Sequence, residues 1–275
     1  MEHQPFSVSM CVYGKDNPQW FREAITSLLQ QTLVPDEIVI VVDGPLPIEL
    51  EEAVDSYEKL DLFKIIRLEK NQGHGVARRT GLENCSNELV ALMDADDICV
   101  LNRFEKQIGV FDKLPVSVVG GQIAEFIETP DKPISYRMVP ETDFEIKKML
   151  KKRCSINQPA VMFKKSDVEL VGGYQDWYCD EDYYLWIRMA LASMQMANVG
   201  DVLVNMRINS DSYKRRGGFK YFRSERKLQR FMLKNHYICF WTYFVNVVKR
   251  FVVQVLVPNR IRARLYKRFA RKTTL

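Results

Sequence analysis

The chain predicts an α/β fold, a parallel sheet with helices on both faces. Three observations carry this. Up to Asp94, segments alternate in the order strand, helix, strand, helix, strand, helix, strand, the pattern of parallel strands joined by crossover helices. One strand segment, "DEIVIVVDGP", is a continuous apolar run of the kind buried on both faces. Polar clusters follow three strand segments, at Tyr13–Asp16, Asp43–Gly44 and Asp94–Asp97. Sheets of this class bind ligands at the carboxyl ends of their strands.

The elements follow in order. "FSVSMCVYG" alternates Phe6, Val8, Met10 and Val12, which is strand-like. "NPQWFREAITSLLQQT" opens with Asn17 as N-cap and Pro18 at the first helical position. Its Trp20, Phe21, Ala24, Ile25, Leu28 and Leu29 form one apolar stripe. "IELEEAVDSYEKL" reads as helix, "FKIIRLE" as strand, "GVARRTGLENC" as helix and "ELVALMD" as strand. Beyond Leu101 the pattern loosens. "NRFEKQIGVFDKL" is a helix, "VSVVGGQIAEFIE" a strand, "TPDKPISYRMVPET" a loop and "FEIKKMLKKR" a helix. "PAVMFKKSDVELVGGY" reads as a strand leading into a turn, "DEDYYLWIRMALAS" as a helix, and "MANVGDVLVNMRI" closes the body.

Length and composition bound the answer. The 275 residues make one large domain or one domain with an appendage, and 47% apolar content supports a sizeable core. Six scattered cysteines without a C-x-x-C pair, beside three histidines, argue against structural zinc and for free thiols in a reducing compartment. The start, "MEHQPFSVSMCVYG", lacks the basic-then-apolar order of a secretion signal, so a cytoplasmic protein is expected. The net charge of +5 is unevenly spread: Ser212–Leu275 holds eighteen Lys and Arg against one acid, Glu225. The expected organisation is therefore a domain over residues 1–210 and a basic, apolar helical extension over 211–275. An acidic body with a basic tail suggests chemistry in the body and docking on something anionic by the tail. "YICFWTYFVNVV" is too short to span a bilayer, where about 20 apolar residues are needed. It suits a helix lying in a membrane interface, the alternative being a helical hairpin packed on the body.

The acids of "LVALMDADD" need a partner. A calcium loop starting at Asp94 fails, because Cys99 stands where the sharp turn requires glycine. One Asp suffices for a helix cap. A hard divalent cation fits Asp94 and Asp96 better, since Mg²⁺ and Mn²⁺ are held by one or two carboxylates with phosphate and water oxygens. Asp97 is left as a cap or supporting group. A second acid cluster, Asp180–Asp182 in "CDEDYYLWIRM", opens a helix. Favourable interaction with the helix dipole and a general base for a hydroxyl proton explain it equally well by spacing.

Three stretches together resemble a known family: "FSVSMCVYGKDNPQWFREAITSLLQQTLVPDEIVIVVDGP", "EKNQGHGVARRTGLENCSNELVALMDADD" and "NQPAVMFKKSDVELVGGYQDWYCDEDYYLWIRM". The chain is similar over residues 5–210 to family 2 glycosyltransferases, nearest to bacterial enzymes of amylovoran-type exopolysaccharide, capsule and O-antigen synthesis. The resemblance implies a GT-A fold with a Rossmann-like mixed sheet, a nucleotide-sugar donor (UDP-linked above all), Mn²⁺ or Mg²⁺, and inversion at the anomeric carbon. By position it implies that Tyr13 and Asp43 contact the nucleotide base, with Lys70 and Arg78 nearby. Asp94 falls at the ribose and metal assembly, Asp96 on the metal. Asp182 is the catalytic base with Glu181 as fallback, and Trp186 helps form the acceptor site. Tyr184 departs from the usual second Asp of Glu-Asp-Tyr-Asp-Leu-Trp.

Further expectations accompany that reading. Arg215 or Arg216 in "YKRRGG" would bind the donor diphosphate or, equally, lipid phosphates. Gly173, after Gly172, would permit close approach to the donor sugar or simply make a turn. The acceptor would be a lipid-linked saccharide, reached from the cytoplasmic face of the inner membrane with the tail on anionic headgroups. Two rivals remain: phosphoryl transfer through an aspartyl nucleophile, and a non-catalytic nucleotide-sugar-binding protein at the membrane.

Overall fold

The structure, a computed structural model, describes residues 3–208 and 217–258. Its first half follows the predicted alternation: β1 (Phe6–Val12), α1 (Pro18–Leu29), β2 (Glu37–Asp43), α2 (Ile48–Asp55), β3 (Phe63–Leu68), α3 (His74–Asn84) and β4 (Leu89–Asp94). Asn17 caps α1 as expected, its side chain accepting from the amides of Gln19 and Trp20. α2 stops at Asp55, short of the predicted helix end. Then come β5 (Ile98–Cys99), α4 (Arg103–Phe111), β6 (Val118–Phe126), β7 (Ser135–Arg137), α5 (Asp143–Leu150), β8 (Met162–Lys164), α6 (Lys165–Leu170), α7 (Glu181–Leu191) and β9 (Met196–Arg207). β5 lies between the predicted elements, and β7 in the stretch read as a loop. The segment read as a strand leading into a turn is a 3-10 turn (Gln158–Ala160), the short β8, and α6. α8 (Phe219–Lys234) and α9 (Phe240–Phe251) end the described chain, followed by a π-helical turn over Val252–Leu256.

The sheet has the order β3-β2-β1-β4-β8-β6-β9-β5, with β7 paired to β6. It is mixed rather than purely parallel. β3, β2, β1 and β4 are parallel. β8 runs antiparallel to both β4 and β6, β9 runs parallel to β6, and β5 runs antiparallel to β9. The reversal cannot be read from hydrophobic period, because β8 has three residues and leads directly into α6.

Both faces are covered. On one, Val8, Met10, Ile40 and Met93 pack against Phe21 and Ile25 of α1, Leu50 of α2 and Phe104 of α4. On the other, Val39, Val41, Val90 and Leu92 meet Ala77 of α3, Leu185 and Trp186 of α7, and Leu228 and Met232 of α8. Fully burying such a side chain contributes about 1.5–3 kcal/mol. The first helix of the basic extension therefore shares the core of the body. The hairpin is also stitched to it: Ser224 Oγ donates to Tyr178 O, Tyr237 Oη to Lys147 O, and Asn246 Nδ2 to Lys151 O.

Gly44 terminates β2 at the carboxyl edge and has a φ of 87°. A β-carbon there would lie 2.5 Å from the amide nitrogen of Asn71, so only glycine lets the segment after β3 cross the end of β2. Gly73 has a φ of 89°, but a β-carbon there would meet nothing within 4 Å. Gly44→Ala therefore suffers backbone strain plus a clash, Gly73→Ala strain alone, which costs about 1–3 kcal/mol. Thermal unfolding is expected to show a clearly larger loss for Gly44→Ala; equal losses would refute the crossing as the constraint.

Candidate active site

Because β2, β1 and β4 are adjacent and parallel, their polar ends meet at one edge. Val12 pairs with Val42, and Cys11 with Asp94, so Tyr13, Asp43 and Asp94–Asp97 converge. Tyr13 is exposed and its amide donates to Asp16 Oδ2. Asp43 is buried, with one carboxylate oxygen accepting from the amide of Gln72 (2.7 Å) and the other from that of Gly73 (3.1 Å). It thus anchors the segment that carries Lys70, which is exposed, and that leads into α3. Cys11 is inert as a nucleophile: burial, with help from the Asp94 and Asp43 charges, pushes its thiol up to about 12 against the opposing effect of Arg78.

Arg78 lies at the centre. It is 1% exposed, and its Nη2 bonds Asp94 Oδ1. Burial alone would push the guanidinium pKa down, but the Asp94 carboxylate, together with smaller contributions from Cys11, Tyr174 and Glu181, holds it above the ordinary value. Its Nε and Nη1 are buried without a hydrogen-bond partner. Such orphaned donors on a permanent cation suit an incoming anionic oxygen.

The acidic turn after β4 separates into distinct environments. Asp94 and Asp96 are half-buried; Asp97 is buried. Burial pushes the Asp97 carboxyl well above its usual range, and the charges of Asp96 and Asp94 push it further. Asp97 Oδ1 accepts from the amide of Arg207 (2.9 Å), so it braces the turn from inside. Arg207 completes the brace, donating from Nε to Asp96 O and from Nη2 to Glu23. Its guanidinium sits between the rings of Trp20 (4.8 Å) and Phe126 (4.7 Å). Among the described residues no group of three or more His, Cys, Asp or Glu side chains could hold a metal ion. The donor set nevertheless fits Mn²⁺ or Mg²⁺, since two carboxylates with substrate phosphate oxygens are a usual shell for these ions.

The second cluster faces the same edge through α3. His74, the first residue of α3, has Nδ1 3.0 Å from Glu181 Oε1. Burial pushes the Glu181 carboxyl up, but the hydrogen bond and charge of His74, with the backbone amide of Glu181 itself and the Arg78 charge, together hold the group below the usual range. Asp182 moves oppositely: burial, then repulsion from Glu181, raise it to about 6. The two adjacent carboxylates are thus driven apart in proton affinity, Asp182 being the better proton acceptor.

The remaining expected residues divide. Gly173 has a φ of 60°, and its carbonyl accepts from Arg188 Nη2 (2.6 Å), with Arg188 Nη1 bonding Val171 O. Arg188 thereby fixes the Gly172–Gly173 turn. Trp186 requires correction: it is 0% exposed, its ring 6.3 Å from that of Phe163 in the core. An acceptor cannot touch it in this structure. Its place one turn after Tyr183 and one before Ala190, both buried, is the core stripe of α7. Tyr184 instead packs its ring against Trp177, the centroids 4.1 Å apart and the planes tilted by 34°. Arg215 and Arg216 lie outside the described residues. Arg78→Met is expected to destabilise the fold by about 2–4 kcal/mol, because it strands a partly buried carboxylate. Asp94→Asn in that background should recover part of the loss. A double-mutant cycle in urea checks this, and strict additivity would disprove the coupling.

The fold agrees with that of similar proteins. Residues 7–170 match the family described as glycosyl transferase family 2. A protein of Escherichia coli named UDP-Gal:alpha-D-GlcNAc-diphosphoundecaprenol beta-1,3-galactosyltransferase is 37% identical, covering 97% of this chain and 97% of its own. The amylovoran biosynthesis glycosyltransferase AmsE of Erwinia amylovora is 35% identical over 96% of this chain and 98% of its own. Among solved structures, S. aureus TarS 1–349 in complex with UDP-GlcNAc is similar with a TM-score of 0.69 at 15% identity, covering 96% of this chain and 76% of that one. The mannosyltransferase PcManGT of Pyrobaculum calidifontis, in complex with GDP-Man and Mn²⁺, gives 0.64 at 14% identity, covering 95% and 72%. An edge of converging acids beside a buried arginine, on this mixed sheet and with these relatives, has one explanation: the chain belongs to glycosyl transferase family 2 and is a glycosyltransferase of GT-A fold.

Proposed function

We propose that the protein moves a sugar from a UDP-linked donor to a hydroxyl of a lipid-linked saccharide, with inversion at the anomeric carbon, during surface polysaccharide synthesis. The observation that carries this reading is the split pair at the start of α7, with Glu181 held ionised by His74 and Asp182 raised to about 6. The names of the E. coli relative, with its UDP-Gal donor and diphosphoundecaprenol-linked acceptor, and of the UDP-GlcNAc-bound TarS support the substrate classes.

In this reading the nucleotide lies along the edge formed by Tyr13, Asp43, Lys70 and Arg78. Asp94 serves the ribose and metal assembly, and Arg215 or Arg216 adds hydrogen bonds to the diphosphate. Gly173 borders the donor sugar. Asp96, with Asp94, would hold Mn²⁺ or Mg²⁺, which when bound neutralises charge on the diphosphate. Asp182 takes the proton from the acceptor hydroxyl. That oxygen bonds to the anomeric carbon as the bond to the diphosphate breaks on the opposite side, and the electron pair leaves with UDP. Glu181 keeps Asp182 basic by repulsion, and Arg78 keeps both acids tolerable beside Asp94.

The site is assigned to the cytoplasmic face of the inner membrane, with the protein peripheral to it. Among the described residues no helix is long and apolar enough to cross a membrane. α9 instead exposes Phe240, Trp241, Phe244, Val248 and Phe251, with Val252 beyond it, at helical spacing. Trp241 and Phe244 stack at 5.8 Å. The opposite side of α9 is engaged, with Asn246 bonded to Gln229 of α8 and to the body. The hairpin thus both packs on the body and presents an apolar stripe beside basic residues, the pattern of an interfacial helix.

Asp182→Asn is expected to lower transfer by about a hundredfold or more, with UDP affinity retained in calorimetry; unaltered turnover would reject Asp182 as base. Because the base must be unprotonated, kcat/KM should rise with pH through about 6 and then level. The free-enzyme profile falling across that range instead would reject the protonation assignment. Trp241→Ser with Phe244→Ser should reduce flotation with phosphatidylglycerol-containing liposomes while leaving the thermal midpoint near wild type. Equal flotation would remove α9 as the contact.

A further inference from the structure

α8 carries a basic row to which the reaction above gives no task. Lys220, Arg223 and Lys227 recur at i, i+3 and i+7 and are exposed on one side of the helix. Facing them is the segment Asp176–Tyr178, and the two walls enclose an open cavity of about 570 Å³. Lys220 Nζ stands 4.0 Å over the ring of Tyr178, and Lys227 Nζ 4.0 Å over that of Trp177. A ring face steadies an ammonium without consuming its hydrogen-bond donors. None of the three cations has an ion-pair partner among the described residues. The carboxylate of Asp176 at the cavity leaves a surplus of positive charge.

The floor of this cavity is mechanically joined to the catalytic acids. Tyr178 precedes Asp182 by four residues, and its carbonyl accepts from Ser224 Oγ at 2.6 Å. Trp177 packs against Tyr184, which meets Phe231 of α8 edge-on at 4.9 Å. Trp177 is 9% exposed, and its indole N–H is buried without an acceptor. Ammonium and guanidinium groups held in a row beside the cavity are what the anionic oxygens of a diphosphate require. Position narrows the choice. In a short lipid-linked acceptor the diphosphate is attached to the saccharide that offers its hydroxyl to Asp182, so both must be bound within the span of that saccharide.

We propose that the groove between Asp176–Tyr178 and the Lys220, Arg223, Lys227 face of α8 binds the diphosphate of the lipid-linked acceptor and seats its sugar against Asp182. This rests on the glycosyl-transfer reading above and adds to it a second diphosphate site, separate from the donor edge at Asp94.

The test compares wild type with the Lys220→Gln, Arg223→Gln, Lys227→Gln triple variant in detergent, without a bilayer. The probes are GlcNAc joined through a diphosphate to an alkyl chain, and the matching alkyl GlcNAc glycoside without phosphate. Equilibrium binding is measured on the UDP-saturated protein, and KM with UDP-Gal as donor. Wild type should bind the diphosphate compound about tenfold or more tightly than the glycoside, a difference the variant loses. The variant's KM for the diphosphate acceptor should rise by a similar factor, with affinity for the glycoside unmoved. If wild type does not distinguish the two compounds, or if the variant weakens both equally, the groove is not a diphosphate site. A defect seen solely on phosphatidylglycerol vesicles, and absent in detergent, would overturn the proposal in favour of headgroup binding. Diphosphate discrimination without transfer to either compound would confirm the groove and count against the glycosyl-transfer reading.

Discussion

The active edge depends on one buried cation. Asp94 closes β4, while Glu181 and Asp182 open α7, and like charges brought together across an interior repel strongly. Arg78 enters between them from α3 with its charge almost wholly removed from water. It bonds Asp94 directly and lowers the cost of ionising Glu181 and Asp182. α3 is therefore a strut as well as a crossover: its first residue holds Glu181 and its second turn holds Asp94. A lysine would not serve equally, because a guanidinium offers a planar fork that keeps further donors available once one is engaged.

The same compression accounts for the chemistry. A carboxylate raised to about 6 is a modest destabilisation stored in the folded state, maintained because the surrounding helices over-determine its position. Its neighbour absorbs the opposite perturbation through His74. Two acids adjacent in sequence thus acquire unlike proton affinities from unlike surroundings.

Much of this was legible from residues alone, for identifiable reasons. The first seven elements obey local rules: alternation in β1, the Asn17 cap and Pro18 start of α1, continuous burial in β2. Local rules act over a few residues and survive without tertiary knowledge. β8 failed because three residues carry no period, and β5 because it pairs with β9, over a hundred residues away. Asp94, Asp96 and Asp182 stood out because acids at strand ends and helix starts are conspicuous, although spacing alone left Asp182 between a helix-dipole role and a base. His74, Arg188 and Arg207 were missed, since a histidine at a helix start and arginines late in a helix or strand have no local signature. Their roles arise from long-range contacts, such as that between Arg207 and Asp97. Trp186 shows the converse error: the stripe Tyr183, Trp186, Ala190 gave its burial, and the family resemblance drew it toward the acceptor.

Glu225, the sole acid of the basic extension, lies inside the hairpin, its carboxylate 2.7 Å from Arg250 Nε and accepting from Gln254 Nε2. It therefore cancels a charge in the interior and none at the surface. Every exposed ionised side chain in the described part of α8 and α9 is positive, while the rest of the molecule is net acidic. The protein is consequently a strong electrical dipole. Near an anionic surface such a molecule experiences a torque before any contact forms, turning the hairpin inward and the acidic body away. That alignment acts over the Debye length, about 8–10 Å at physiological salt, and it fades as ionic strength rises.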